Sequence, residues 1–253
     1  KDISFKEGAT VQSRIDQERR IQMTQHHTST HIINAAARTV LGRHVNQAGA
    51  FKDVDKARID LTHYESLTEE QVEKIEAEAN RIVKQAISIE KRFYSRGEAE
   101  HAFGMDIYQG GVPVGKRLRI VNILGVDVEA CGGTHLDNTK EAEKIKIINV
   151  TRIQDGIIRL VFVAGKAAKK ELAQEDLILN DLENLLQCTR TEIPRRALEL
   201  FELWKNIVKK KKDLTKKLNS HTQYHGDILA ETARVLKTQP EHVVKTVERF
   251  LKE

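Results

Sequence analysis

The chain changes rhythm once, near Gly165. Before that point apolar residues recur sometimes at helical and sometimes at strand spacing, whereas beyond it they recur at helical spacing with few breakers. Of the 14 glycines only Gly226 lies further on. The pattern predicts an α+β domain over residues 1–165, with a mixed or antiparallel sheet and helices, followed by an all-α helical hairpin arm over 166–253.

Within the first part, residues 24–41 read as a buried helix carrying Ile32, Ile33, Ala36, Ala37, Val40 and Leu41, with Gly42 as its stop. A strand is expected over 58–64, where Ile59 and Leu61 alternate with Asp60 and Thr62. Thr68 and Gln71 form a capping box for a helix with Val72, Ile75, Ala79, Ile82, Val83 and Ala86 on one face. The period falls to two around Ile89 and Phe93, and strands follow over 117–124, 126–130 and 144–153. Asp155 and Gly156, a type I′ turn signal, then lead into the apolar run 157–163, which makes a hairpin. In the second part Leu172, Leu179, Leu182 and Leu186 mark one helix, and a break follows over 189–194. A second helix carries Ile193, Ala197, Leu200, Trp204, Ile207, Lys211, Leu214 and Leu218 as a heptad seam with a lysine in it. Thr238 and Pro240 announce a last helix with Val243, Val244, Val247 and Phe250.

Composition narrows the class. With 40% hydrophobic and 31% charged residues in 253, the chain is too apolar to be disordered throughout. No apolar stretch approaches the roughly 20 residues of a membrane span, and the start lacks a signal-peptide core, so no membrane partner and a cytoplasmic location are expected. The first residue is Lys1, which suggests a piece of a longer polypeptide. A net charge of +5 permits a nucleic-acid partner without requiring one. The basic run over 209–212, with Lys216 and Lys217, reads as a solvated helix face before it reads as a phosphate contact.

The two cysteines are Cys131 and Cys188, too few for a disulfide framework. Cys188, beside the helix break, has no assignable role. Cys131 opens Cys131-Gly132-Gly133-Thr134-His135, which pairs a thiol with a histidine across a glycine bend just after a strand. His27 and His31, four apart on the first helix, project from one face. Together these four offer the imidazole and thiolate donors that suit Zn2+ in a tetrahedral site. The glycines let the two sides of the bend converge, and they leave backbone N–H groups at Gly132 and Gly133 free to face an oxyanion. A Cys/His nucleophile is the competing use of the same atoms and leaves two histidines idle. Four protein ligands match structural zinc, whereas catalytic zinc keeps a position open, and spacing does not choose between them. His26 and His63 read as a surface histidine and a strand histidine, and Thr30 and Thr134 as packing or pocket groups.

His27-Thr28-Ser29-Thr30-His31 and Cys131-Gly132-Gly133-Thr134-His135, joined by Gln47-Ala48-Gly49-Ala50 and by residues 58–63, closely resemble the editing domain of the alanyl-tRNA synthetases over about residues 10–165. The helical arm resembles the segment that follows editing there, where it leads toward dimerisation and tRNA contact. The resemblance implies a zinc-containing aminoacyl-tRNA deacylase domain followed by a truncated arm, in which His27, His31, Cys131 and His135 hold the metal. Gln47 corresponds to a pocket glutamine associated with editing, and the catalytic set is completed by the Gly132 and Gly133 amides. It implies hydrolysis of the Ser or Gly ester on mischarged tRNA(Ala), with a homodimer through the arm. The aminoacylation motifs of the class II alanine ligase are absent, so the expectation is a piece that edits but does not charge tRNA. A zinc-stabilised tRNA-binding or dimerisation module without activity, and a free-standing deacylase acting in trans, are the alternatives.

Overall fold

In the computed structural model, which describes residues 6–210 and 218–252, the first helix begins well before the apolar pattern that predicts it. α1 (Gln17–Leu41) is capped by Asp16, whose carboxylate accepts from the Arg19 N–H at 3.0 Å. From Gln22 onward most of its circumference is buried, so Ile32, Ile33, Ala36 and Ala37 share the interior with Gln22, Gln25, His26, Thr28, His31 and Asn34. This corrects the reading of His26 as a surface histidine. Its ring is fully buried, donates through Nδ1 to the Asp53 carbonyl at 2.6 Å and accepts from Gln22 Nε2 at 3.1 Å. Burial pushes its pKa down, which keeps the ring neutral for this donor–acceptor role. Thr30 donates to the His26 carbonyl at 2.9 Å, so it belongs to helix packing.

Two antiparallel sheets surround α1. β1 (Gln47–Lys52) and β2 (Ala57–Thr62) precede α2 (Glu69–Lys84), and β3 (Ile89–Ser95) leads through α3 (Arg96–Phe103) to β4 (Arg117–Ile123) and β5 (Asp127–Ala130). β6 (Ile145–Gln154) and β7 (Ile157–Ala164) form the hairpin expected at Asp155 and Gly156, but the turn is not type I′, because Gly156 takes a positive φ of 73° and Asp155 does not. The strand orders are β1-β2-β7-β6 and β3-β4-β5, with every pairing antiparallel. α2 carries the expected capping box between Thr68 and Gln71. β1 and α3 had no apolar pattern to announce them. α3 starts instead on a second capping box, between Ser95 and Glu98.

The main core joins Ile32, Ile33 and Ala36 of α1 to Ile59 and Leu61 of β2, Ile75 and Ile82 of α2, and Leu160 and Phe162 of β7. Asn80 of α2 pins β6 to it: its Nδ2 donates to the Ile145 carbonyl at 2.8 Å while its Oδ1 accepts from the Ile145 N–H at 3.0 Å. One side-chain amide thus replaces a strand partner at the start of β6.

These elements lie in the first of two compact units, Lys1–Lys169 and Lys170–Glu253. The second is all-α. α4 (Gly165–Leu186) supplies Leu179, Leu182 and Leu186 to its core, and α5 (Ile193–Lys210) supplies Ile193, Ala197, Leu200 and Phe201 after a capped turn at Thr189 and Glu192. α5 packs most extensively on α6 (Ile228–Leu236), which the pattern did not predict, and α7 (Val243–Lys252) closes the core with Val243, Val247 and Phe250. Leu218, expected on the α5 seam, lies outside regular structure, where its carbonyl accepts from Arg196. Lys211 and Leu214 of that seam, and the basic run apart from the backbone of Lys209 and Lys210, lie outside the described residues. Among the described residues no helix is long and apolar enough to cross a membrane.

Asn80→Ala leaves the Ile145 N–H and carbonyl unpaired in the interior. It is expected to destabilise the first unit by about 2–4 kcal/mol in urea unfolding. A loss under about 0.5 kcal/mol contradicts the pinning role.

Candidate metal centre

The site is made where the middle of α1 meets the exit of β5. His27 and His31 lie one turn apart on α1, with ring centroids 5.6 Å apart. The His135 ring comes within 4.2 Å of the first centroid and 4.5 Å of the second. Cys131 Sγ lies 3.4 Å from His27 Nε2 and 3.4 Å from His135 Nε2. One donor atom from each of His27, His31, Cys131 and His135 falls within 4.8 Å of all the others. Nitrogen and sulfur bound at about 2.1 and 2.3 Å to one tetrahedral ion lie about 3.5 Å apart, so the two contacts of Cys131 are compatible with a zinc ion.

The turn that carries Cys131 and His135 is fastened from outside. Arg119 of β4 donates through Nη1 to the carbonyls of Cys131 at 2.9 Å and Gly133 at 2.8 Å. Lys91 of β3 donates to the Leu136 carbonyl at 3.0 Å and pairs with Asp137. From the inside, Thr28 Oγ1 accepts from the Leu136 N–H at 3.1 Å and lies 3.2 Å from His135 Nδ1. With Nδ1–H as the donor to that hydroxyl, the Nε2 lone pair of His135 faces Cys131, which is the tautomer a metal ligand needs. Gly133 packs against His27: a Cβ there would meet the ring at 2.0 Å. The neighbouring Gly132 has open space and is exposed.

The electrostatics call for a cation. β5 turns Asp127 and Glu129 toward α1, exposed only to 5% and 3%, while Val128 and Ala130 pack on a smaller cluster with Ile107, Leu118 and Ile120. His31 lies between the two carboxylates, with Nε2 3.2 Å from Glu129 and Nδ1 3.5 Å from Asp127. Burial alone would lower its pKa, but Glu129, Asp127 and Cys131 push it up to about 10. Burial likewise opposes the Cys131 thiolate, yet hydrogen bonds from His135, His27 and His31 hold it down to about 2. His135, buried and beside two other histidines, is lowered to about 3. Burial raises Glu129 to about 7 against the pull of His31. The cluster thus gathers a thiolate and two buried acidic groups around imidazoles, and a divalent cation bound there would supply the positive charge that a proton on His31 otherwise provides. Among the described residues both Asp127 oxygens and His31 Nδ1 lack a hydrogen-bond partner, although Arg38 stands 3.8 Å from Asp127.

Of the expected site residues, the four donors and Gly133 come together and Gly132 adjoins them. Gln47, half-buried at the start of β1, forms no hydrogen bond with the donors among the described residues; its backbone N–H donates to Gln109 Oε1 at 2.9 Å. Sequence reasoning missed Asp127 and Glu129, which look like ordinary strand polar positions, and Lys52. The Lys52 ammonium is half-buried, its pKa lowered by burial and only partly restored by Cys131 and Glu129. His63 is buried just after β2, with Nδ1 2.8 Å from His44 Nε2, away from the donor cluster.

With the geometry established, the comparisons give it a context. A domain family described as the threonyl and alanyl tRNA synthetase second additional domain matches residues 118–161, from β4 through the donor turn into β7. An alanine-tRNA ligase of Methanococcus maripaludis (strain C5) is 43% identical over 235 residues, covering 89% of this chain and 26% of the relative. An alanine-tRNA ligase of Methanopyrus kandleri is 39% identical over 255 residues, covering 98% of this chain and 28% of the relative. One from Methanothrix thermoacetophila is 45% identical over 199 residues, 79% of this chain and 22% of its own length. The chain thus spans about a quarter of the length of the curated relatives it matches.

Two variants test the centre. Cys131→Ala is expected to reduce zinc bound after dialysis from about one ion per chain to a small fraction, read by atomic absorption, because one of four ligands is gone. Gly133→Ala should weaken zinc binding about tenfold or more by displacing His27. Full zinc content in Cys131→Ala contradicts the assignment.

Proposed function

The chain is homologous to a segment of the alanine-tRNA ligases, and from that premise we propose that it is an editing module that hydrolyses the ester between a wrong amino acid, serine or glycine, and the 3′ end of tRNA(Ala). The observation that carries the reading is the convergence of His27, His31, Cys131 and His135 beside a glycine turn in a chain related to a ligase whose substrate is the smallest chiral amino acid. A hydrophobic activation pocket rejects an isostere bearing an added hydroxyl poorly, so discrimination needs a second site with polar walls.

His27, His31, Cys131 and His135 would hold zinc, which, when bound, polarises the ester or orients the amino acid's polar groups. The chain's own residues do the rest. The amides of Gly132 and Gly133 would steady the developing oxyanion from the donor turn, a role that the exposure of Gly132 supports. Gln47 hydrogen-bonds the substrate or the attacking water, and the Lys52 ammonium offers positive charge to the ester oxygens or the terminal ribose phosphate. Nearly complete burial of the donors other than Cys131 and His27 leaves approach from the turn side. The similarity extends past the first unit into the helical one, which favours a ligase segment over a free-standing deacylase. In this reading the helical unit is an arm for tRNA contact or self-association.

Deacylation of Ser-tRNA(Ala) tests the proposal. The chain is expected to clear the mischarged tRNA at least 10²-fold faster than buffer, with most of that rate lost to a zinc chelator. Gln47→Ala should lower kcat/KM about tenfold, the worth of one good hydrogen bond in the transition state. A rate equal to buffer with zinc fully bound defeats the hydrolase reading and leaves a zinc-stabilised RNA-binding module.

A further inference from the structure

The buried polar groups around the donors continue beyond them. Glu129 Oε2 lies 3.2 Å from His31 Nε2, and Glu129 Oε1 accepts from Asn34 Nδ2 at 3.0 Å. Asn34 Nδ2 also reaches Gln109 Oε1 at 3.4 Å, and the same oxygen accepts from the Gln47 N–H at 2.9 Å. Gln109 Nε2 is spent on the Asp106 carbonyl at 2.9 Å and Asn46 Oδ1 at 3.3 Å, so its amide cannot turn without losing several contacts. The next residue completes the grip. The Gly110 N–H donates to the Gln47 carbonyl at 3.0 Å, and a Cβ on Gly110 would meet Gln47 Nε2 at 2.6 Å.

We propose that Glu129 and Asn34 are positioning residues for the metal ligand His31, and that Gln109 extends their network to Gln47, setting the pocket glutamine relative to the metal. The spacing supports this. Asn34 lies one turn after His31 on the same face of α1, and Glu129 lies two residues before Cys131 on the same side of the strand. The strand therefore supplies the carboxylate that meets His31, and α1 supplies both His31 and the amide that holds that carboxylate. Asn34 is fully buried and Glu129 is 3% exposed, so neither is a chance surface contact. A buried carboxylate is costly unless it is paired, and here its two oxygens have separate tasks, one on the ligand and one on the amide that leads outward.

The Gln109 limb rests on the proposed hydrolase; the Glu129 limb does not. Zinc affinity is measured by competition with a chromophoric chelator on the whole chain. Glu129→Gln keeps the shape and the acceptor for Asn34 but removes the charge at His31, and it is expected to weaken zinc 10- to 100-fold. If that variant does not fold, Asn34→Ala replaces it, with about tenfold weakening expected. A folded Glu129→Gln or Asn34→Ala with wild-type zinc affinity overturns the positioning role. Gln109→Ala should bind zinc within about threefold of wild type, yet lose about tenfold in kcat on Ser-tRNA(Ala), and adding Gln47→Ala to it should cost little more. Unchanged kcat in Gln109→Ala, with the wild type active, overturns the extension to Gln47. An inactive wild type that still shows the Glu129→Gln effect on zinc sinks the hydrolase reading and the Gln109 limb, and supports the Glu129 limb.

Discussion

A helix buried on most sides normally carries apolar residues all round, because each polar side chain taken inside must find a partner or cost free energy. α1 breaks that expectation and the rest of the first unit answers it. In its first half, Gln22 joins the Ala164 carbonyl and the Ala167 N–H, Gln25 reaches the Glu141 carbonyl and His26 reaches the Asp53 carbonyl. These bonds tie α1 to the end of β7, to the turn before β6 and to the β1–β2 connection. In its second half, Thr28, His31 and Asn34 meet the β5 exit and the buried carboxylates. The helix is thus held by directional bonds at both ends of its buried stretch, and the donors inherit that rigidity.

What could be read from the chain follows from the range over which each feature is encoded. The α2 capping box, the β6–β7 hairpin and the paired spacings of His27 with His31 and Cys131 with His135 are written within a few residues, and each is present, although the hairpin turn has positive φ only at Gly156. The burial of polar residues such as Gln22, Gln25, His26, Thr28, Asn34, Asp127 and Glu129 is explained by groups elsewhere in the chain, which local periodicity does not contain. β5 shows the difficulty well. Alternation distinguishes its two faces, but it does not say that the acidic face turns toward the main interior; that is decided by His31, Asn34 and Arg38 across the gap. Gln47 was singled out by resemblance, yet its place depends on Gln109 and Gly110, some sixty residues on, in a loop with no regular pattern.

The second unit shows the opposite case. Its core is a set of leucines, valines and aromatic rings, with Trp204 stacked 4.4 Å from Phe250 and Phe201 5.6 Å from it. Periodicity finds such residues readily, but it overextended α5 through Leu218 and missed α6. Polar chemistry holds residues 218–220: Arg196, buried on α5, donates to the Ser220 carbonyl at 2.7 Å, and Glu199 accepts from the Asn219 and Ser220 N–H groups.

The polar interior also bears on selectivity. A pocket lined by methyl groups separates ligands by size, and under the proposed editing function size works against a site that would accept serine while leaving alanine attached to its tRNA. Recognition then has to come from groups that bind a hydroxyl or amine, and such groups are useful only when they are held in place before the substrate arrives. The donors here sit on one helix and one strand exit, with contacts running between the two: Asn34 to Glu129, Thr28 to His135 and Leu136, Gly133 against His27. Placing uncompensated carboxylates and a thiolate in the interior lowers stability unless a cation joins them. The same arrangement that makes the empty cluster costly makes it rigid and cation-seeking, and those are the two properties a polar discriminating site needs.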